Sequence, residues 1–187
     1  MNAMQDCTRI WVFTDGSVKG LHSGAAAVFS GDTPSADSEV GVYLGPLQAS
    51  TDAEVAGLHP AVSQFLVCSC WSQAAIVSDS SSALRLLCVP SWKRDWEPLC
   101  ELRDSIRGLL DQGRSLSFWW APGHCDIAGN EAADRVARAA ASAGSPQGVF
   151  WVSPYMMGRA LQCWYEHRVR AQEQATTGSI LDPRRTP

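Results

Sequence analysis

The order of hydrophobic patterns along the chain is the feature that most constrains its fold. Three short apolar runs come first, separated by turn-forming residues, which predicts an antiparallel meander of three strands. From about residue 51 onward the order becomes helix, strand, two helices, strand and helix. This order predicts an α/β domain in which a mixed sheet carries helices on its faces.

The bounds of these elements follow from the ends of each periodic run. The predicted strands cover residues 8–15, 24–30, 39–44, 74–78 and 115–121, and the predicted helices cover 51–67, 80–87, 98–110 and 128–143. The first strand is expected to end at Asp15, with Gly16 and Ser17 forming a tight turn. Pro60 is expected to kink or break the first long helix because proline has no backbone donor.

The length of 187 residues predicts one domain with a modest appendage. We assign residues 1–143 to the folded domain and 144–187 to the appendage. The appendage begins with a linker, and a helix is expected from Ser153 and Pro154. The apolar stripe of that helix would comprise Met157, Leu161 and Trp164, and residues 180–187 are expected to be disordered.

The composition is that of a globular protein, with 45% hydrophobic and 18% charged residues. The sequence shows neither a membrane-length apolar run nor a signal pattern, which favours an intracellular protein that is neither secreted nor inserted in a membrane. Seven irregularly spaced cysteines favour reduced thiols. A zinc site at Cys68, Cys70 and His59 is the weaker alternative, since no second cysteine pair accompanies it.

Four acidic residues stand where a solvated surface charge is not the simplest explanation. Asp15 and Asp79 each follow an apolar strand, and ligands bind beyond strand carboxyl ends in open α/β sheets. Glu54 falls on the apolar stripe of its helix, and Asp134 lies in an alanine-rich helix on the same side as Asn130. Gathered carboxylates repel one another and need cations, and oxygen ligands select Mg²⁺ or Mn²⁺. The pattern therefore predicts a metal site for phosphodiester chemistry.

The net charge of −4 at first argues against binding to nucleic acid. Removing the four metal-site acids from the nineteen Asp and Glu leaves fifteen, equal to the fifteen Lys and Arg. The remaining surface is then neutral, which predicts weak unaided affinity for nucleic acid and suggests that another domain supplies it.

Five short motifs occur in a fixed order, and together they resemble ribonuclease H type 1 sequences over residues 8–143. Any one of them occurs by chance, but the ordered set is specific, and its last member is the most distinctive part. The motifs are Thr14-Asp15-Gly16-Ser17, Ala53-Glu54, Ser78-Asp79-Ser80, Trp120-Ala121-Pro122-Gly123-His124 and Gly129-Asn130-Glu131-Ala132-Ala133-Asp134.

The resemblance implies an endoribonuclease that hydrolyses the RNA strand of an RNA/DNA hybrid by two-metal-ion catalysis, acting as a monomer. It implies a ribonuclease H-like mixed five-stranded sheet, three antiparallel strands followed by parallel ones, flanked by helices. Two Mg²⁺, replaceable by Mn²⁺, would be bound by Asp15, Glu54, Asp79 and Asp134. His124, on a loop beside them, would assist proton transfer or product release. The implied substrate-binding groups are Gly16, Ser17, Thr51, Asp52, Ser81 and Asn130.

The segment from Pro122 to Asp134 is similar to ribonuclease H domains of non-LTR retrotransposons. This similarity implies that the chain is part of a reverse-transcriptase polyprotein, whose other domains are its expected partners. Two features depart from the family. The basic, tryptophan-rich protrusion is reduced to residues 89–96, where Trp92 and Trp96 either line a DNA groove or pack on the protein. Ala49 stands where a hydroxyl often helps to bind a DNA phosphate, leaving Ser50 or Thr51 as substitutes.

Each acidic residue also has an ordinary explanation. Asp15 suits a turn, Glu54 suits a helix start, and Asp134 can pair with Arg138 four residues on. These explanations do not account for the joint occurrence of all four acids with the His124 motif. Two other functions stay open: a catalytically silent ribonuclease H-like binding module, and an integrase- or transposase-like DNA nuclease.

Overall fold

The structure is a computed structural model that describes residues 9–31, 37–46, 48–89 and 96–143, together with Gln162, Tyr165 and Val169. The chain divides into two units, Met1–Ser153 and Pro154–Pro187. The three described residues of the second unit are helical. The predicted linker, the apolar stripe of the last helix and the tail lie outside the described residues. None of the described helices is long and apolar enough to cross a membrane.

The first unit is built on one five-stranded sheet in the order β3-β2-β1-β4-β5. Its strands are β1 (Arg9–Lys19), β2 (His22–Gly31), β3 (Ser38–Gly45), β4 (Gln73–Ser78) and β5 (Ser115–Trp120), and its helices are α1 (Ser50–Val67), α2 (Ser81–Cys88), α3 (Glu97–Asp111) and α4 (Ala128–Ala143). Strands β1 to β3 pair antiparallel, whereas β4 pairs parallel with both β1 and β5. The predicted fold class is confirmed.

Strand β1 continues four residues beyond the end predicted for it. Gly16 and Ser17 do not form a turn but pair with Ala25 and Gly24 of β2. The chain reverses instead at residues 20–21, where Gly20 has a φ of +63°, a left-handed conformation that glycine adopts without strain. The predicted turn was wrong because pairing with β2 stabilises an extended Asp-Gly-Ser segment that local preference assigns to a turn.

Helix α1 is continuous through Pro60. The predicted break is therefore wrong, whereas a kink at Pro60 stays a prediction. Leu58 and Ala61, on either side of the proline, are fully buried in the core that α1 shares with the sheet. Burial of such side chains offsets the loss of one backbone hydrogen bond. Tertiary packing has therefore overridden the local preference at this position.

The two faces of the sheet are covered by different helices. Ile10 and Val12 of β1 belong to the core that includes Leu58 of α1 and Leu102 of α3. Phe13 points to the opposite face, where its ring lies against Gly129 in α4. Helices α1 and α4 therefore approach β1 from opposite sides of the sheet.

Candidate active site

The first two predicted ligands lie side by side at one edge of the parallel pairing. The β1–β4 register ends at Thr14 and Ser78. Asp15 is the next residue of β1, and Asp79 directly follows the end of β4. Asp15 is only 8% exposed. It lies inside β1, which extends beyond the last residue that pairs with β4. This placement confirms that the two aspartates meet, although Asp15 lies within its strand and not at its end.

Gly16 brings the third ligand to this edge. A Cβ atom at Gly16 would overlap the backbone of Ala53 and Glu54, so only glycine lets the first turns of α1 lie against β1. As a result, one ligand oxygen each of Asp15, Glu54 and Asp79 lie within 4.8 Å of one another. The three residues form the first acidic group of the pocket.

The fourth predicted ligand belongs to a second group on the other side of the same pocket. Asp134 and Glu131, one helical turn apart in α4, lie with His124 so that one ligand atom of each falls within 4.8 Å of the others. The two groups line one cavity of about 190 Å³. Sequence reasoning missed Glu131, although its position three residues before Asp134 places both on one helical face.

The predicted substrate-binding residues are divided by the structure. Gly16 and Asn130 line the pocket, and Asn130 is 7% exposed with a buried Oδ1 that has no hydrogen-bond partner among the described residues. The pocket lining does not include four others, Ser17, Thr51, Asp52 and Ser81. The Asp52 carboxylate instead accepts a hydrogen bond from the backbone N–H of Ala49 at 3.2 Å, which stabilises the start of α1. Contacts of all six with substrate stay predictions.

The loop that carries His124 is held against Asp79. The indole Nε1–H of Trp120 donates to the backbone carbonyl of Asp79 at 2.9 Å, and a Cβ on Gly123 would lie 2.5 Å from Asp79 Oδ2. His124 and Asp126 have φ values of 55° and 57°, a left-handed conformation that is costly for residues with side chains. His124 is exposed and lines the pocket, so it lies beside the acidic residues as the resemblance implied.

The pocket is electrostatically unfavourable for a protein alone. The pKa of Asp15 is raised to about 7, mainly by desolvation and to a lesser extent by repulsion from Asp79 and Asp134. The pKa of Glu54 is raised to about 9, again mainly by desolvation and to a lesser extent by repulsion from Asp15 and Asp79. Glu54 Oε2 is buried and has no hydrogen-bond partner among the described residues. Both carboxylates would be stabilised by a nearby cation, so the donor set fits hard divalent ions.

These pKa shifts predict how the metal-free protein responds to pH. In EDTA, the free energy of unfolding should fall as pH rises from about 5 to 9, measured by urea unfolding at constant ionic strength. Because the pKa values of Asp15 and Glu54 are raised in the folded state, that state binds more protons than the unfolded chain across this interval. Their stabilising contribution is complete below the unfolded pKa and is lost as pH passes the folded pKa.

The control for this prediction is Glu54→Gln, which cannot ionise and should flatten the slope. Saturating Mg²⁺ should also reduce the slope in the unsubstituted chain, because cations stabilise the ionised carboxylates. A free energy of unfolding that stays constant or increases toward pH 9 in EDTA would contradict the electrostatic description of the pocket.

The chain is similar in sequence to a known protein family. The sequence model of the RNase H family matches residues 8–142. This chain belongs to the ribonuclease H family. The match includes all four predicted metal ligands and His124, and it confirms the family to which the ordered motifs pointed. No curated protein matches the chain significantly in sequence.

Solved ribonuclease H structures are similar to this ribonuclease H over most of their length. The N-terminal RNase H domain of Rv2228c from Mycobacterium tuberculosis is 25% identical, with a TM-score of 0.55 over 73% of this chain and 95% of that chain. RNase H1 from Halobacterium salinarum NRC-1 is 25% identical, with a TM-score of 0.50 and coverage of 73% and 99%. LC11-RNase H1, solved in complex with RNA/DNA hybrid, is 21% identical, with a TM-score of 0.53 and coverage of 72% and 97%. At that identity the last comparison shows the fold alone.

The sequence left two questions about this ribonuclease H outside the pocket: a zinc site at the cysteines and the role of the tryptophans in the reduced protrusion. Cys68 and Cys70 form no disulfide, and no third metal-ligating side chain joins them within the described residues. Trp96 packs partly against the core at the start of α3, which favours packing over groove binding for this residue. Trp92 and most of the reduced protrusion lie outside the described residues.

Proposed function

We propose that this ribonuclease H hydrolyses the RNA strand of RNA/DNA hybrids with two Mg²⁺ as cofactors, and that Mn²⁺ can replace them. The observation that carries the proposal is the presence of two ligand groups in one pocket. Asp15, Glu54 and Asp79 would hold one cation, and Asp134 would contribute to holding the other. Carboxylate oxygens are the ligands that these ions prefer.

The side chains of the pocket have separable tasks in this reaction. When bound, divalent cations supply positive charge that activates water and stabilises the leaving oxygen of a phosphodiester. Asp15 lies within the sheet, Asp79 directly follows β4, and Glu54 is fixed by the close approach of α1 to Gly16. These three ligands therefore need little rearrangement. Asp134 approaches from a separate helix on the other side of β1.

Recognition of the hybrid is proposed from family membership and from the polar groups at the pocket. Asn130 lines the pocket, and its side-chain amide can hydrogen-bond a ribose 2′-hydroxyl. Contacts to this hydroxyl separate RNA from DNA without reading sequence. The proposed role of Asn130 therefore concerns strand choice and not metal binding.

The neutral surface predicts that this ribonuclease H depends on neighbouring domains for affinity. We propose that these are other domains of a reverse-transcriptase polyprotein of the non-LTR retrotransposon type, acting inside the cell. Support comes from the charge balance and from the similarity of the segment Pro122 to Asp134. Strong hybrid binding by the isolated chain at physiological salt would remove the need for such a partner.

One assay tests the proposed activity against its alternatives. The protein is incubated with labelled RNA/DNA hybrid, duplex RNA or duplex DNA, in Mg²⁺, in Mn²⁺ or in EDTA. Metal-dependent loss of RNA from the hybrid alone is the expected result. A protein that binds hybrid and cuts nothing would be a silent module, and one that cuts duplex DNA would be an integrase-like nuclease. Either result would overturn the proposal.

His124 is proposed to assist proton transfer or product release without holding the site together. His124→Ala should lower the turnover number by about 10- to 100-fold, since one acid–base group contributes about that much or more. The melting temperature should stay within a few degrees, because the side chain is exposed. Single-turnover and steady-state rates should be measured together. An unchanged rate in both would exclude His124 from the reaction.

A further inference from the structure

The ordinary explanation of Asp134, an ion pair with Arg138, and its role in the pocket are both realised in the structure. Asp134 Oδ2 lies 2.9 Å from Arg138 Nη2, one helical turn along α4. The same carboxylate also provides an oxygen to the group that it forms with His124 and Glu131. The Arg138 guanidinium therefore forms an ion pair with one of the proposed metal ligands.

We infer that Arg138 is a positioning residue that holds Asp134 and keeps its side of the pocket from binding a divalent cation tightly before substrate arrives. This inference rests on the proposed function and assigns a role to a residue outside the ligand set. The Arg138 side chain is 62% exposed, whereas the Asp134 side chain is 21% exposed. Arg138 thus contacts a pocket residue, Asp134, from the solvent side without lining the pocket itself.

Two opposing effects decide whether Arg138 strengthens or weakens cation binding at Asp134. The ion pair restricts the Asp134 side chain, but an exposed pair of residues four apart changes an equilibrium by a factor of only about two. The repulsion between a guanidinium and a doubly charged cation that share one carboxylate is larger, since both charges fall within a few ångströms. Arg138 should therefore weaken cation binding overall.

The consequence is an unequal pair of cation sites. The group of Asp15, Glu54 and Asp79, away from Arg138, would hold one cation. At the Asp134 side, Arg138 reduces the negative charge available to a second cation. A phosphate of the bound nucleic acid would restore that charge, so the second cation would be held firmly only together with substrate.

The test measures Mn²⁺ binding directly, without nucleic acid, from the electron paramagnetic resonance signal of the free ion. Arg138→Gln should tighten the weaker of the two binding events by roughly threefold to tenfold and leave the tighter one nearly unchanged. Arg138→Lys keeps the charge and should behave like the unsubstituted chain. Arg135→Gln is the matched control, since Arg135 is on the same helix but pairs with Glu39 at 2.6 Å, outside the pocket lining.

The outcomes separate the inference from the function beneath it. Weaker or unchanged Mn²⁺ binding in Arg138→Gln, with its melting temperature in EDTA retained, would overturn the inference and leave the proposed function intact. A raised KM for hybrid with unaltered Mn²⁺ binding would also overturn it, because Arg138 would then contact a phosphate instead. If the unsubstituted chain binds no Mn²⁺ and cuts no hybrid, the proposed function fails and the inference fails with it.

Discussion

Asp79→Asn should lower the rate of hybrid cleavage by at least about a thousandfold while the protein stays folded. Removal of one member of a catalytic group commonly costs this much or more. Asp79 lies beside Asp15 beyond the end of the β1–β4 pairing, and the amide is nearly isosteric but supplies no negative charge. The measurement is the initial rate on labelled RNA/DNA hybrid at saturating Mg²⁺, with the melting temperature recorded on the same preparation.

The melting temperature gives this prediction a second part. Asp79 raises the pKa of both Asp15 and Glu54 by repulsion, so removing its charge should leave the metal-free protein equally stable or more stable. The stabilisation by Mg²⁺ should shrink at the same time. Asp104→Asn is the control, since Asp104 is an exposed residue paired with Arg107 at the surface. A near-normal cleavage rate in Asp79→Asn would show that the metal ligands are assigned wrongly.

Gly16→Ala should destabilise the protein by about 3 kcal/mol, the upper range for overpacking a tight contact. For a domain of this size that loss corresponds to a melting temperature lower by about 6–12 °C. The added Cβ would overlap the backbone of Ala53 and Glu54, and neither β1 nor α1 can move without disturbing the core. Because Glu54 would be displaced from Asp15, cleavage should also fall by more than tenfold in protein that is still folded.

The control for this substitution is the same change at a glycine with space around it. Gly108 lies within α3, and a Cβ there would meet nothing within 4 Å. Gly108→Ala should therefore stabilise the protein by about 0.5–1 kcal/mol through helix propensity. Equal effects of the two substitutions on the melting temperature would show that the contact between β1 and α1 is not close.

Several elements were predictable because their signals are local. Helix α2 begins after Ser80, whose hydroxyl accepts a hydrogen bond from the Ala83 backbone N–H at 3.2 Å, as its position before the helix indicates. Helix α3 carries Pro98 in its first turn. The order of strands and helices along the chain was likewise sufficient to predict the mixed sheet.

The errors arose where long-range contacts replaced local preference. Asp-Gly-Ser favours a turn, but pairing with β2 extends β1 to Lys19. Pro60 favours a break, but burial on both sides of it keeps α1 continuous. Glu131 was overlooked because an acidic residue in the first turn of a helix has an ordinary explanation in the helix dipole.

The sequence by itself determined the family, since five motifs in order specify it, and it predicted the four carboxylates that line one pocket. Only the tertiary structure decided how the ligands are divided between the two groups in the pocket. Glu54 and Asp134 come from helices on opposite faces of β1, so the distances among the carboxylates depend on how closely each helix packs. The effect proposed for Arg138 depends on the same packing. Its ion pair with Asp134 is an ordinary pair of residues four apart in a helix, and it can influence cation binding only because α4 places Asp134 beside the other carboxylates.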